Sequence, residues 1–227
     1  MTCDVPARSL TLYHHPSSPN CIKVRALAYE LGVALRLSTV NIFQGGARTP
    51  GLRALNPNGL VPVLVDDDFV LWESNAILSY LAELQPSFMP ATARERANVA
   101  RWLHWESAHL GQAVRRVAFD RVVRPLTNQR AFEPAAAAAA SFLDYCGVLE
   151  ATLGCAAYLT ERLSAADFAV ACLLNSARGA GLEVDGFPGT QRWFRRMLAR
   201  DSVRRALAES RFLAADWDET PGESRRH

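Results

Sequence analysis

The chain lacks most of what would tie it to a membrane, a metal or a nucleic acid. No apolar run approaches the ~20 residues that a membrane-spanning helix needs. The first eight residues contain Cys3, Asp4 and Pro6 and lead into no apolar core, so no secretory leader is expected and the expected location is cytoplasmic. The five cysteines, Cys3, Cys21, Cys146, Cys155 and Cys172, are odd in number and have neither CxxC nor Cys/His spacing. That argues against a disulfide framework and against a metal site, and leaves them as reduced, mostly buried small side chains. Net charge is only +2 over 227 residues, with arginines interspersed among Glu and Asp, so neither nucleic acid nor a membrane surface is an expected partner. There is no internal repeat. What remains is an ordinary globular composition, 49% apolar and 21% charged.

The pattern changes character near residue 84. Before it, short strand-like runs alternate with helix. Ser9 to Tyr13 reads as a strand, followed by the loop His14-His15-Pro16-Ser17-Ser18-Pro19. Val24, Leu27, Ala28 and Leu31 then recur at helical spacing, with Gly32 placed to end the helix. Leu35 to Ile42 can form a second strand, and Gln44 to Thr49 reads as loop. Val61 to Val65 and Phe69 to Trp72, joined by Asp66-Asp67-Asp68, read as a hairpin. Pro62 at its head cannot donate to a ladder and marks a strand start or bulge. Glu73 and Ser74 open a helix in which Ile77, Leu81 and Leu84 share a face.

Residues 85–91 are polar and bracketed by prolines, the composition of a linker. Beyond them the chain reads as helix throughout. Leu103, Leu110, Val114 and Val117 mark one long helix reaching Arg124-Pro125. Phe142, Tyr145, Leu149 and Leu153 mark another, entered through the alanine run Ala135 to Ala140. Ser164-Ala165-Ala166-Asp167 has the form of a capping box before an apolar run. Pro188 opens a helix with Trp193, Phe194, Met197 and Leu198 on one side. The expected organisation is an α/β domain of order β-α-β then β-β-α over residues 1–84, a linker over 85–91, and an all-α helical domain over 92–227.

Three elements carry chemistry. Ser18-Pro19-Asn20-Cys21 lies between the first strand and the first helix, and a helix N-terminus stabilises an anion through its unpaired N–H groups and partial positive charge. A serine hydroxyl there can donate to a thiolate and lower the pKa of the thiol; its plainer reading is a helix N-cap. In Asn56-Pro57-Asn58-Gly59-Leu60-Val61-Pro62, a cis Val61–Pro62 bond would present the Val61 N–H and C=O to an extended peptide. In Trp72-Glu73-Ser74-Asn75, Glu73 can accept from an ammonium, while Ser74 and the helix N–H groups hold a carboxylate. Ordinary capping is again the alternative.

Taken in this order and spacing, and joined by the capping box at Ser164 and Asp167, these motifs resemble the glutathione S-transferases over nearly the whole chain, from Leu10 to about Phe212. The resemblance implies a thioredoxin-like N-terminal domain that binds glutathione and a helical-bundle domain that lines the site of an electrophilic co-substrate. It implies Ser18 as the catalytic serine of the serine-type classes (theta, zeta and phi) in a bacterial-type chain, and Val61, Glu73 and Ser74 as glutathione contacts. Arg48 and Gln44 fall where the family often finds partners for the glycine carboxylate. His14, His15, His104, Ala108 and Gln112 are weaker candidates for the co-substrate pocket, the last three at helical spacing with Gly111 and Arg115. Glutathione is then a co-substrate, with no prosthetic group and no metal, and the family's usual homodimer is implied. Pro19 after Ser17-Ser18 departs from the zeta-class pattern, and Cys21 alone does not support dithiol chemistry. The alternatives are a glutathione-dependent disulfide or peroxide reductase, and a non-catalytic binding protein of the same fold.

Overall fold

In the computed structural model, which describes residues 9–42, 45–124 and 135–211, the first strand β1 (Leu10–His14) buries Leu10, Leu12 and His14 on alternate positions. It leads into α1 (Pro19–Leu31). Proline is tolerated in the first helical turn because an N–H there has no helical partner to lose. The helix stops at Gly32, whose φ of 67° only glycine adopts without strain. Then follow β2 (Leu35–Thr39), a 3-10 turn (Gly46–Arg48), α2 (Pro50–Leu55), β3 (Val63–Asp66), β4 (Phe69–Trp72) and α3 (Ser74–Glu83). The sheet order is β2-β1-β3-β4, with β1 and β2 parallel and the other pairs antiparallel.

The expected β-α-β and β-β-α order is present, with local corrections. The first strand extends one residue to His14 and the second stops at Thr39, short of Ile42. Part of the segment expected to be loop winds into the 3-10 turn, and α2 is an additional helix. Its six residues bury only Leu52, too little for a helical period to register in the sequence. The third strand begins at Val63, after a Val61–Pro62 peptide bond that is cis.

The remaining helices are α4 (Ala93–Trp105), α5 (Gly111–Ala118), α6 (Ala135–Leu153), α7 (Ala165–Gly179), α8 (Pro188–Leu198) and α9 (Asp201–Arg211). The π turns Glu106–Leu110 and Phe119–Val123 make α4 and α5 parts of one long rod. Helix α7 is the axis of this half, buried without interruption from Ala165 to Leu174. Its first turn is held by Asp167, which accepts from the Ser164 N–H at 2.9 Å, from Leu159 N–H at 3.0 Å and from Trp193 Nε1 at 2.9 Å. Helix α1 packs against α3, α7 and α9, so one continuous apolar core joins the sheet to the helical half. Among the described residues, no helix is long and apolar enough to cross a membrane.

Candidate functional site

Sheet register gathers the chemistry-bearing segments. Tyr13 pairs with Val63 and Val63 with Trp72, so the end of β1, the start of β3 and the end of β4 form one row. The loop carrying Ser18 leaves at that row, Val61 enters just before it, and Glu73 and Ser74 follow it. Strand β2 ends beside it, with Thr39 opposite His14 and the Val40 N–H donating to the His14 carbonyl at 2.8 Å. The segment leading to Arg48 therefore starts from the same edge. This is the carboxyl end of the parallel pair, where open α/β sheets bind ligands.

Ser18 stands at the N-cap of α1 with extended backbone, yet its hydroxyl makes no capping bond. Its carbonyl accepts from the N–H groups of Cys21 at 2.9 Å and Ile22 at 2.8 Å, and its own N–H donates to the His15 carbonyl at 3.0 Å. The plain N-cap reading thus does not account for the side chain. Cys21 is fully enclosed; burial pushes its thiol up to about 11, against hydrogen bonds from the His15 N–H and the Ser18 hydroxyl. At neutral pH it is a thiol, not a nucleophile.

His14 and His15 sit beneath the loop, 2% and 6% exposed. Burial, with the positive charge of Arg25 and with His15 beside it, lowers the His14 pKa to about 4. Burial and Arg25 lower His15 as well. The His15 Nδ1 accepts from the Ser17 N–H at 3.3 Å. Both rings are neutral groups supporting the loop, and they offer little surface to a co-substrate.

Glu73 is exposed and lies at φ 71°, ψ 111°, a region that a side chain occupies only at a cost. Its carbonyl accepts from the Ile77 N–H at 3.0 Å, and Ser74 begins α3 nearly buried. Among the described residues no protein group takes the Val61 N–H or C=O. The turn before Val61 is shaped by Asn56, whose Nδ2 donates to the Leu60 carbonyl at 2.8 Å and whose Oδ1 accepts from the Asn58 N–H at 3.1 Å. Arg48 is exposed in the 3-10 turn and packs its stem against Gly59 of that turn; a Cβ on Gly59 would lie 3.6 Å from the Arg48 Cγ. Gln44 lies outside the described residues.

His104 and Ala108 are exposed, and Gln112 is half-buried, donating to the Ser107 carbonyl at 3.1 Å and accepting from Arg115. Their helical spacing crosses the π turn Glu106–Leu110, whose extra residue rotates Gln112 and Arg115 away from the face that α-helical counting assigns them.

Sequence reasoning missed a buried charge pair behind α3. Lys23 Nζ donates to Glu106 Oε2 at 3.0 Å, and Asn75 Nδ2 donates to the same oxygen at 2.9 Å and to the Leu103 carbonyl at 2.6 Å. Asn75 follows Ser74 directly, so this network anchors the N-terminus of α3. A signal existed: Glu106 falls on the stripe of Trp102, Leu103 and Leu110, where a lone carboxylate needs a buried partner. Among the described residues no cluster of His, Cys, Asp or Glu is arranged to hold a metal ion. An apolar cavity of about 100 Å³ lined by Ala82, Phe88, Met89, Val99 and Ala165 lies at the far end of α3 from Ser74.

Comparison with known proteins agrees with this layout. Residues 8–83 match the family model for the glutathione S-transferase N-terminal domain, and residues 122–201 match that for the C-terminal domain. Glutathione S-transferase 3 of Zea mays is 34% identical over 211 residues, spanning 88% of this chain and 93% of that protein. The disulfide-bond oxidoreductase YfcG of Escherichia coli is 28% identical over 209 residues, 88% of this chain and 95% of that one. Among solved structures, the theta class glutathione S-transferase of Xanthomonas axonopodis pv. citri with glutathione bound superposes with a TM-score of 0.80 at 32% identity, covering 88% of this chain and 97% of the other.

Proposed function

The chain belongs to the glutathione S-transferase family, and from that premise we propose that it binds glutathione at the row formed by Tyr13, Val63 and Trp72 and uses Ser18 to hold the glutathione sulfur as a thiolate. The observation that carries this reading is the Ser18 hydroxyl at the N-terminus of α1, which makes no capping bond and donates instead to a sulfur, that of Cys21. The partial positive charge of the helix end and a hydroxyl donor both favour the charged sulfur. Glu73 accepts from the γ-glutamyl ammonium, and Ser74 with the first N–H groups of α3 takes the neighbouring carboxylate. The Val61 N–H and C=O, unpaired among the described residues, pair with the cysteinyl backbone of glutathione. Arg48, with Gln44, faces the glycine carboxylate.

In the reaction the thiol loses its proton to solvent, and the thiolate attacks an electrophilic carbon of the second substrate. A C–S bond forms, and either a leaving group departs with its electron pair or the adduct is protonated. Residues 1–84 bind glutathione, and residues 92–227 line the co-substrate side. The exposed aromatic rings of Phe69 and Trp72 on the edge strand β4, 46% and 39% accessible, support association into a homodimer. Cytoplasmic residence follows from a reduced, glutathione-rich compartment being the one that supplies this substrate.

The test is the thiolate absorbance of bound glutathione, titrated against pH, for the wild type and Ser18→Ala. The bound thiol should ionise well below its free pKa of ~8.5, and the substitution should reverse the shift and lower kcat by about 10²-fold. Glutathione bound with an unshifted thiol would remove the reading.

A second reading is favoured by the similarity to the E. coli disulfide-bond oxidoreductase. In it, the thiolate of bound glutathione attacks a disulfide RS–SR′, forming GS–SR and expelling R′S−, and a second glutathione thiolate attacks GS–SR, releasing RS− and leaving glutathione disulfide. With Cys21 enclosed and protonated, such chemistry would run on glutathione sulfur alone, and turnover of a mixed disulfide without any of an aryl halide would select it.

A further inference from the structure

The loop before Ser18 is bound to the last described helix through one buried side chain. Arg25, on α1 and 1% exposed, donates from Nη2 to the Pro16 carbonyl at 2.7 Å and to the Ala206 carbonyl at 3.2 Å. Its Nη1 donates to Glu209 Oε2 at 2.9 Å. Glu209 is held in turn by the Tyr29 hydroxyl, at 2.8 Å from Oε1 and 2.9 Å from Oε2. A second link runs directly from the loop to α9, Ser17 Oγ to the Ser210 carbonyl at 3.3 Å. The planar guanidinium suits this work because its fork holds two carbonyls and a carboxylate in fixed directions, which a lysine cannot.

We propose that Arg25 is a positioning residue that couples helix α9 to the loop carrying Ser18, so that Glu209, which lies on α9 beyond the substrate-binding row, sets where the Ser18 hydroxyl stands. This rests on the role proposed for Ser18. With Glu209 in place, Arg25 has its one carboxylate partner among the described residues and the Pro16 carbonyl is drawn toward α1. Without it, a buried guanidinium lacks a counter-charge and must move toward water, and Pro16 moves with it.

A control is built into the fold. Arg200 and Ser202, at the α8–α9 turn and the start of α9, hold Glu30 at the other end of α1, with Ser202 Oγ donating to Glu30 Oε2 at 2.6 Å. Cutting that link removes an α1–α9 contact at the end remote from the Ser18 loop and leaves Arg25, Glu209 and Pro16 in their bonds.

The experiment compares wild type, Glu209→Gln, Arg25→Lys and Arg200→Ala, each with and without Ser18→Ala. The readouts are the ionised fraction of bound glutathione near neutral pH and hydrogen exchange of the Ser17 and Ser18 amides without glutathione. Glu209→Gln and Arg25→Lys should lower the ionised fraction roughly threefold to tenfold in the Ser18 background and have no further effect once Ser18 is alanine. They should also speed exchange in the loop, while Arg200→Ala does neither. Equal losses in both backgrounds, a matching loss in Arg200→Ala, or unchanged loop exchange in Glu209→Gln would each overturn the proposal. If wild type binds no glutathione, the transferase reading fails; loop exchange still decides whether α9 holds the loop.

Discussion

Lys23 Nζ lies 3.0 Å from Glu106 Oε2, with both side chains almost wholly enclosed, and the contact joins α1 of the sheet half to the π turn of the helical half. A buried pair of this kind contributes little net stability over an apolar substitute but costs about 3–5 kcal/mol when one partner is removed. Glu106→Ala should lose that amount in urea denaturation and also deprive Asn75 of one of its two acceptors, leaving the Leu103 carbonyl. Replacing both charges, as Lys23→Met with Glu106→Leu, should recover most of it. Additive losses in the double variant would show that the pair is not coupled.

Stability should fall on acidification before the carboxylates titrate. The His14 pKa is depressed to about 4, first by burial and then by Arg25 and His15, from an ordinary 6.5. Above 6.5 the neutral ring suits both folded and unfolded chains. As pH falls toward 4 the unfolded chain takes up a proton that the folded one refuses, so stability is lost through that window. The shift corresponds to on the order of 3 kcal/mol. His14→Gln should flatten the dependence of Tm on pH between 6.5 and 4, and an unaltered slope would assign it elsewhere.

Glu73 combines a strained backbone with a charge that the ligand needs. At φ 71° a glycine is unstrained, so Glu73→Gly should raise stability by about 1 kcal/mol while the KM for glutathione rises at least about tenfold, the worth of a charge-assisted hydrogen bond. Calorimetry and steady-state kinetics on one preparation check both; lower Tm, or unchanged KM, counts against this account.

The π turn depends on Gly111. A Cβ there would stand 2.8 Å from the Glu106 carbonyl oxygen, closer than atoms pack. Gly111→Ala should force the turn to reorganise at a cost of about 1–3 kcal/mol, and should displace Glu106 from Lys23 and Asn75. A crystal structure of the variant with Glu106 unmoved would contradict this.

How much of this was legible follows from sequence distance. The succession of elements along the first 84 residues, the end of α1 at Gly32 and the capping box at Ser164 and Asp167 are local signals of spacing and turn chemistry, and the folded chain carries them. Ser18, Val61 and Glu73 could be named from short motifs, and the register of Tyr13, Val63 and Trp72 gathers the segments that hold them. Helix α2 escaped because six residues complete less than two turns. The π turns escaped because α-helical counting assumes 3.6 residues per turn throughout. Lys23 with Glu106 and Arg25 with Glu209 are 83 and 184 residues apart, and nothing in either neighbourhood names its partner. The lesson runs through Asn75 as well: it is read locally as a helix-start residue, while its side chain serves the opposite half of the chain.

Lys23 is also the only lysine in the chain. Its enclosure means that an amine-directed reagent meets no side-chain amine on the folded protein, whereas any opening of the seam between α1 and the π turn exposes this single one. The rate at which Lys23 is modified under native conditions is therefore a direct clock for that opening, with no competing lysine to subtract.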